Sequence, residues 1–169
     1  MRIYFSILVF LIVINNKVYS QSDTSYYVES NLDFYQYGFC LDSCDYLFLY
    51  ENAATWIDTK YKYAGNSKNG VDCSGLVKKL YELAYNIELN GGSKDIFSET
   101  QKVNTEDLKE GDLLFFKTRG NYISHIALYL KDGYFIHSSV KKGVTINHLD
   151  DTYYKRTFYA AGRYNLINW

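Results

Sequence analysis

Three histidines and three cysteines are the residues of this chain best suited to chemistry near neutral pH. Cys73 stands in Val71-Asp72-Cys73-Ser74-Gly75-Leu76-Val77, where a loop turns into a helix. Asp72 is a good N-cap, because its carboxylate can accept backbone N–H groups that the first turn leaves without partners. Leu76, Val77, Leu80, Leu83 and Ala84 then recur at helical spacing and form one apolar face. Cys73 becomes the first residue of that helix, where the positive end of the dipole favours the nucleophilic thiolate. Position alone is equally compatible with a plain small-residue role, so the test is whether a base lies in reach.

The base must come from His125, His137 or His148. His125 opens the predicted strand Ser124–Lys131, and His137 closes the next, Tyr134–Ser138. Their relation depends on the turn. If Asp132-Gly133 alone is the loop, 128 faces 137 and the two histidines lie on opposite sheet faces. If Lys131-Asp132-Gly133 is the loop, with Gly133 left-handed, 130 faces 134 and 127 faces 137. The histidines then share a face as diagonal neighbours, about 7–8 Å apart at the backbone. Ala127 would leave room between them. A catalytic pair therefore requires the three-residue loop. His148, in Val144-Thr145-Ile146-Asn147-His148, has no evident partner and reads as a satisfied structural histidine.

The elements that must position these side chains follow from periodicity. Residues 45–59 read as a helix, 60–71 as a turn-rich loop, and the Cys73 helix runs to about Asn86. Residues 94–101 are a short helix. Strands are expected at Asp112–Lys117, Ser124–Lys131, Tyr134–Ser138, Val144–His148 and Phe158–Asn165. Helices followed by antiparallel strands make an α+β domain with a sheet of about five strands. The 19 tyrosines in an aromatic content of 18% suit pleated surfaces. A formal net charge of −1 gives no support to a nucleic-acid partner or an anionic membrane surface.

The start of the chain reads as an export signal. Arg2 precedes the apolar run Ile3–Ile14, broken only by Ser6, and Val18-Tyr19-Ser20 offers a cleavage site before Gln21. The run is short for a membrane span, which needs about 20 residues; an uncleaved anchor is the alternative. The expected organisation is a signal peptide at 1–20, an extension at 21–45 and a domain at 46–169. The product is expected to be periplasmic or secreted, with no stable membrane anchor after cleavage. In such a compartment Cys40 and Cys44 either form a local disulfide or remain two reduced thiols, and Cys73 stays unpaired. No second pair of ligands accompanies Cys40 and Cys44, so no metal site is expected.

Several segments together resemble one family. Tyr61-Lys62-Tyr63-Ala64-Gly65, Gly70-Val71-Asp72-Cys73-Ser74-Gly75-Leu76-Val77, Leu108-Lys109-Glu110-Gly111-Asp112-Leu113-Leu114-Phe115-Phe116, Ser124-His125-Ile126-Ala127-Leu128-Tyr129-Leu130, Phe135-Ile136-His137-Ser138-Ser139 and Gly143-Val144 match, in order and spacing, the NlpC-type bacterial cell-wall cysteine peptidases. The resemblance covers about residues 46–164 and implies a papain-like fold, with the nucleophile helix packed on the antiparallel sheet. It further implies hydrolysis of peptidoglycan stem peptides, commonly at the γ-D-glutamyl–diaminopimelate bond, with no metal or cofactor. By motif, Cys73 is the nucleophile, His125 the general base and His137 the residue that orients it. Tyr61 matches the tyrosine whose hydroxyl joins the Cys73 N–H at the oxyanion. Asp72 and Ser74, on either side of the nucleophile, are the candidate substrate contacts. The chain departs from the family pattern at Ala64 and Ala127, where glycine is usual. It also lacks the Pro-Arg after the nucleophile helix, for which Lys94 is the candidate stand-in. An amidase or acyltransferase on the same scaffold would use the same thiol chemistry. A non-catalytic wall-binding module would be expected to have lost the cysteine or a histidine, and this chain keeps all of them.

Overall fold

The computed structural model describes residues 34–42 and 44–165. The predicted signal peptide at 1–20, and the extension up to residue 33, lie outside the described residues. In chain order the elements are α1 (Leu47–Trp56), β1 (Asn66–Ser67), β2 (Gly70–Val71), α2 (Cys73–Tyr85), α3 (Ser93–Ser98), β3 (Thr100–Val103), β4 (Leu113–Phe116), β5 (His125–Tyr129), β6 (Tyr134–Ser139), β7 (Gly143–His148), α4 (Thr152–Thr157) and β8 (Phe158–Tyr164). The architecture is α+β, with helices packed on an antiparallel six-stranded sheet of order β3-β8-β4-β5-β6-β7.

The nucleophile helix forms as its sequence dictates. Asp72 caps its N-terminus, and Asn86 ends it in a left-handed conformation with φ 55°. The buried face is Leu76, Val77, Leu80, Tyr81 and Ala84. Leu83, expected on that face, is instead 44% exposed, and Tyr81 takes the inward position. The Tyr81 hydroxyl donates to the Gly111 carbonyl at 2.6 Å, which satisfies its polar end inside the core. Helix α2 packs on α1, β5 and β6, so the helix that begins with Cys73 lies on the two strands that carry the histidines.

Both faces of the sheet are buried. One carries Leu113, Phe115, Ile126, Leu128, Ile136, Val144 and Ile146 against the helices. The other carries Leu114, Phe116, Ala127, Tyr129, Phe135 and Ala161, covered by Val103, Leu108, Leu149, Tyr154 and Phe158. This explains why Leu113–Phe116 reads as a continuous apolar run with no alternation. Two elements beyond the expected set complete the second face and its edge. Strand β3 pairs with β8 at one edge, and α4 leads into β8.

The β5–β6 register is Leu128↔Ile136 and Tyr129↔Phe135. Leu130 N–H donates to Tyr134 O at 2.9 Å, and Lys131-Asp132-Gly133 is the loop, with φ 50° at Asp132 and 85° at Gly133. This is the three-residue turn that a histidine pair requires. Beyond Leu128↔Ile136 the two strands stop pairing. The head of α2 fills that place: the Ser138 hydroxyl donates to Val71 O at 2.8 Å, and the Ile126 N–H faces the Cys73 sulfur.

A buried ion pair ties the sheet together at the start of β4. Asp112 is fully buried, and Arg163 on β8 grips both of its oxygens, each at 2.7 Å. The Lys109 N–H adds a third bond at 2.8 Å. Asp112→Ala would remove the buried carboxylate that the guanidinium grips and should cost about 3–5 kcal/mol. The midpoint of a urea unfolding curve is the measurement.

The local disulfide between Cys40 and Cys44 is not present; both are free, exposed thiols. Hydrogen bonds close this turn in its place. Asp42 N–H donates to Asp45 Oδ2 at 2.6 Å, and Cys44 N–H to Asp42 Oδ1 at 2.8 Å. Lys131, from the β5–β6 loop, pairs with Asp42 at 3.0 Å and Asp45 at 2.7 Å and pins the turn to the sheet.

Candidate active site

Asp72 holds the approach loop and the first turn of α2 together. Its Oδ1 accepts from the Gly75 N–H at 2.7 Å and the Ser74 hydroxyl at 3.0 Å, and its Oδ2 accepts from the Ala64 N–H at 3.0 Å. The Asp72 N–H in turn donates to Gly65 O at 3.0 Å. The fit is close enough that a Cβ on Gly75 would collide with the Gly65 carbonyl oxygen. Ala64 is held at φ 54°, a left-handed conformation that costs a residue with a Cβ roughly 1–2 kcal/mol. Both Asp72 and Ser74 line the cleft, and both are engaged with each other as scaffold.

Cys73 is half-buried at the head of the helix. Burial pushes its thiol pKa up, and the Asp72 carboxylate adds to this. The N–H groups of Ile126, Ser74 and Cys73 itself act in the opposite direction. Burial outweighs the helix terminus, so the resting group is a thiol rather than the thiolate expected from helix position.

His125 and His137 are brought together, and their ring nitrogens form a chain. His125 Nε2 lies 2.9 Å from His137 Nδ1. His137 Nε2 lies 3.1 Å from Asn147 Oδ1 and 3.0 Å from the Tyr154 hydroxyl. The Asn147 amide nitrogen donates to Asp151 Oδ2 at 2.9 Å. These contacts assign the protons. A carboxylate only accepts, so Asn147 turns its NH2 to Asp151 and its oxygen to His137. His137 Nε2 must then carry hydrogen, and its Nδ1 accepts from His125 Nε2–H. His125 Nδ1 is left with a free lone pair, as a base requires.

Burial depresses both histidines. His137 is pushed down to about 4, with Asn147 opposing and Lys142 adding to the effect. Burial, then the neighbouring His137 and Arg119, hold His125 well below the usual histidine range. At neutral pH both rings are uncharged.

Tyr61 bridges Val71 beside the nucleophile and lines the same cleft. Burial, then the charges of Cys73 and Asp72, raise its pKa, so its hydroxyl keeps its proton and can donate. The cleft has a volume of about 890 Å³, and its wall includes Cys73, His125, His137, Tyr61 and Arg119 but not Lys94. Among the described residues no cluster of His, Cys, Asp and Glu is placed to hold a metal ion.

His148 stands apart. Its Nε2 lies 2.8 Å from Asp132 O and donates to it, and its Nδ1 accepts from the Asp150 N–H at 3.1 Å. The ring packs edge-on to Tyr134, centroids 4.8 Å apart, and steadies the β5–β6 loop. His148→Ala should leave turnover per folded molecule unchanged while costing about 1 kcal/mol of stability. Steady-state rates beside a thermal melt would check both halves.

Sequence reading missed Asn147, Asp151 and Tyr154. The β6–β7 register pairs His137↔Thr145 and Phe135↔Asn147, so parity places Asn147 on the His137 face. That signal was available from the Val140-Lys141-Lys142 loop. Tyr154 and Asp151 come from α4 and its N-cap, a six-residue helix too short to show a period.

With this geometry in view, a model of the NlpC/P60 family matches residues 58–163. "Murein DD-endopeptidase MepS/Murein LD-carboxypeptidase" of Escherichia coli (strain K12) is 29% identical over 110 residues, 65% of this chain and 58% of that protein. "Gamma-DL-glutamyl hydrolase" of Bacillus subtilis (strain 168) is 39% identical over 109 residues, 62% of this chain and 25% of that protein. The chain thus spans little more than half of one of these relatives and a quarter of the other. A crystal structure of an NlpC/P60 family protein from Bacillus cereus superposes with a TM-score of 0.65 at 28% identity, covering 74% of this chain and 42% of that one.

Proposed function

Because the chain belongs to the NlpC/P60 family, we propose that it is a cysteine peptidase that hydrolyses peptidoglycan stem peptides, at the γ-D-glutamyl–diaminopimelate amide, through a thiol acyl-enzyme. The observation that carries this reading is the proton assignment. The chain from Asp151 through Asn147 and His137 leaves His125 Nδ1 as an acceptor in the cleft that holds the Cys73 thiol. One relative is named for murein and the other for a γ-glutamyl bond, and the reading takes the wall from the first and the bond from the second.

Both groups start neutral, so the proton leaves sulfur as sulfur attacks. His125 Nδ1 takes the Cys73 proton while the new C–S bond forms at the amide carbonyl. The oxyanion is met by the Cys73 N–H at the head of α2 and by the Tyr61 hydroxyl. The imidazolium gives its proton to the leaving nitrogen, the C–N bond breaks, and the free amine departs. Water, deprotonated by the same nitrogen, then attacks the thioester and releases the carboxylic acid and the thiol. His137 accepts the His125 Nε2–H throughout and keeps the ring aligned. With the export signal read at residues 1–20, the site of action is periplasmic or extracellular.

Digestion of purified peptidoglycan, with Cys73→Ala alongside and mass spectrometry of the released fragments, tests this. Fragments ending between D-Glu and diaminopimelate, absent with the variant, are expected. Fragments from a D,D-bond would change the bond but keep the class. Binding to the wall without release would identify a wall-binding module. Neither binding nor release, with Cys73 still open to alkylation, would direct the chemistry to an amidase or acyltransferase substrate.

A further inference from the structure

The cleft wall carries two acids and three cations besides its histidines: Asp72, Asp151, Arg119, Lys141 and Lys142. The acids are already occupied. Asp72 accepts from Ala64, Ser74 and Gly75, and Asp151 accepts from the Asn147 amide and the His148 N–H. The cations are not. Among the described residues Lys79, Lys131, Lys155 and Arg163 pair with carboxylates, whereas Arg119, Lys141 and Lys142 pair with none. A chain of net charge −1 therefore presents a cleft whose free charges are all positive.

The backbone of Arg119 is also held in a defined place. Ser124 Oγ accepts from the Thr118 N–H at 2.9 Å and the Arg119 N–H at 3.1 Å, and Arg119 bridges Tyr122 across the loop. Ser124 immediately precedes His125, so the serine that holds the Arg119 backbone is the chain neighbour of the base. The Arg119 charge reaches both His125 and Tyr61, adding to the depression of the first and opposing the rise of the second. By itself this works against catalysis, because it opposes the imidazolium that His125 must become. An anion docked on the guanidinium would cancel that opposition.

The geometry points to Arg119 as the anchor for a free carboxylate of the substrate, close to the scissile amide, so that the cleft selects acidic peptides over their amidated counterparts. The inference rests on Cys73 and His125 acting as described above. In a γ-glutamyl amide the matching group is the α-carboxylate at the far end of the glutamyl chain. Lys141 and Lys142, exposed in the β6–β7 loop at the cleft, add attraction at longer range.

Two measurements test it on the whole protein, with Arg119→Gln and Arg119→Lys. The first compares alkylation of Cys73 by iodoacetate and by iodoacetamide, two reagents of one shape that differ as carboxylate and amide. It is read on the Cys73 peptide by mass spectrometry, because Cys40 and Cys44 also react. Arg119→Gln should lower the iodoacetate-to-iodoacetamide rate ratio about fivefold or more at low salt. Arg119→Lys should restore much of it, and 0.5 M salt, roughly a 4 Å screening length, should shrink the wild-type ratio. The second compares a γ-D-glutamyl peptide bearing the free α-carboxylate with its α-carboxamide. The wild-type preference for the acid, read in kcat/KM, should fall about tenfold in Arg119→Gln. An unchanged alkylation ratio, or an equal loss on both peptides, overturns the anchor. If wild type cleaves neither peptide but the alkylation ratio still falls, the anchor stands and the proposed bond is wrong.

Discussion

Replacing His125 with alanine is expected to slow hydrolysis about as much as replacing Cys73 with alanine, by roughly 10⁴–10⁶-fold, and the double variant should be no slower than either. The reason is the uncharged resting pair. Burial keeps the Cys73 thiol protonated, so without a base no nucleophile forms at neutral pH. Without the thiol, the base has nothing to activate. The two groups therefore act as one unit, and their losses do not add. Neither change should unfold the protein, because both side chains are only half-buried, at the wall of the cleft. Single-turnover release of stem-peptide fragments, beside a thermal melt, separates the two effects. A double variant whose loss equals the product of the two single losses would mean that His125 acts independently of the thiol.

His137 comes next in size, and its loss should cost less than that of His125, about 10²–10⁴-fold, because it directs a proton without transferring it. Removing it frees His125 Nε2–H from its acceptor. The ring can then move its proton to Nδ1, where it points a donor at the sulfur. A variant that keeps an acceptor near the same point, His137→Gln, should recover part of the rate, whereas His137→Leu should not. Asn147→Leu should show a weaker form of the same defect. Equal losses at His125 and His137 would mean that the roles are wrongly divided. The pH dependence has a definite sign. A histidine held near 4 in the fold and near 6.5 unfolded binds more protons when unfolded throughout that interval. The stability from the neutral pair is thus complete above about pH 6.5 and is lost as pH falls toward 4. His137→Leu should flatten that part of the acid unfolding curve.

Much of this was legible because local rules and the global fold agree. Asp72 before Cys73 marked a cap, and the cap is there. Gly133 in Lys131-Asp132-Gly133 made a three-residue turn possible, and the chemistry required it. Leu83 was misplaced because spacing alone cannot separate the rim of an apolar face from its centre, and Tyr81 could be buried only because Gly111 offers its hydroxyl an acceptor. Strand β3 was overlooked because Thr100–Val103 is an edge with exposed middle residues, so no alternation marks it. The state of Cys73 depends on how deeply it is enclosed, which no neighbour in sequence reports. The Cys40–Cys44 turn is closed by Lys131, some ninety residues away, a donor that residue spacing cannot reveal.

The loop Lys131-Asp132-Gly133 lies at the far end of the hairpin from the cleft, yet it works as a ruler for the site. A one-residue slip of β6 against β5 at this loop would turn His137 to the opposite side of the sheet without altering any catalytic side chain. Changes of loop length should therefore be tolerated as long as Leu130 still faces Tyr134. A slip remote from the reaction would then be as damaging as the loss of the base.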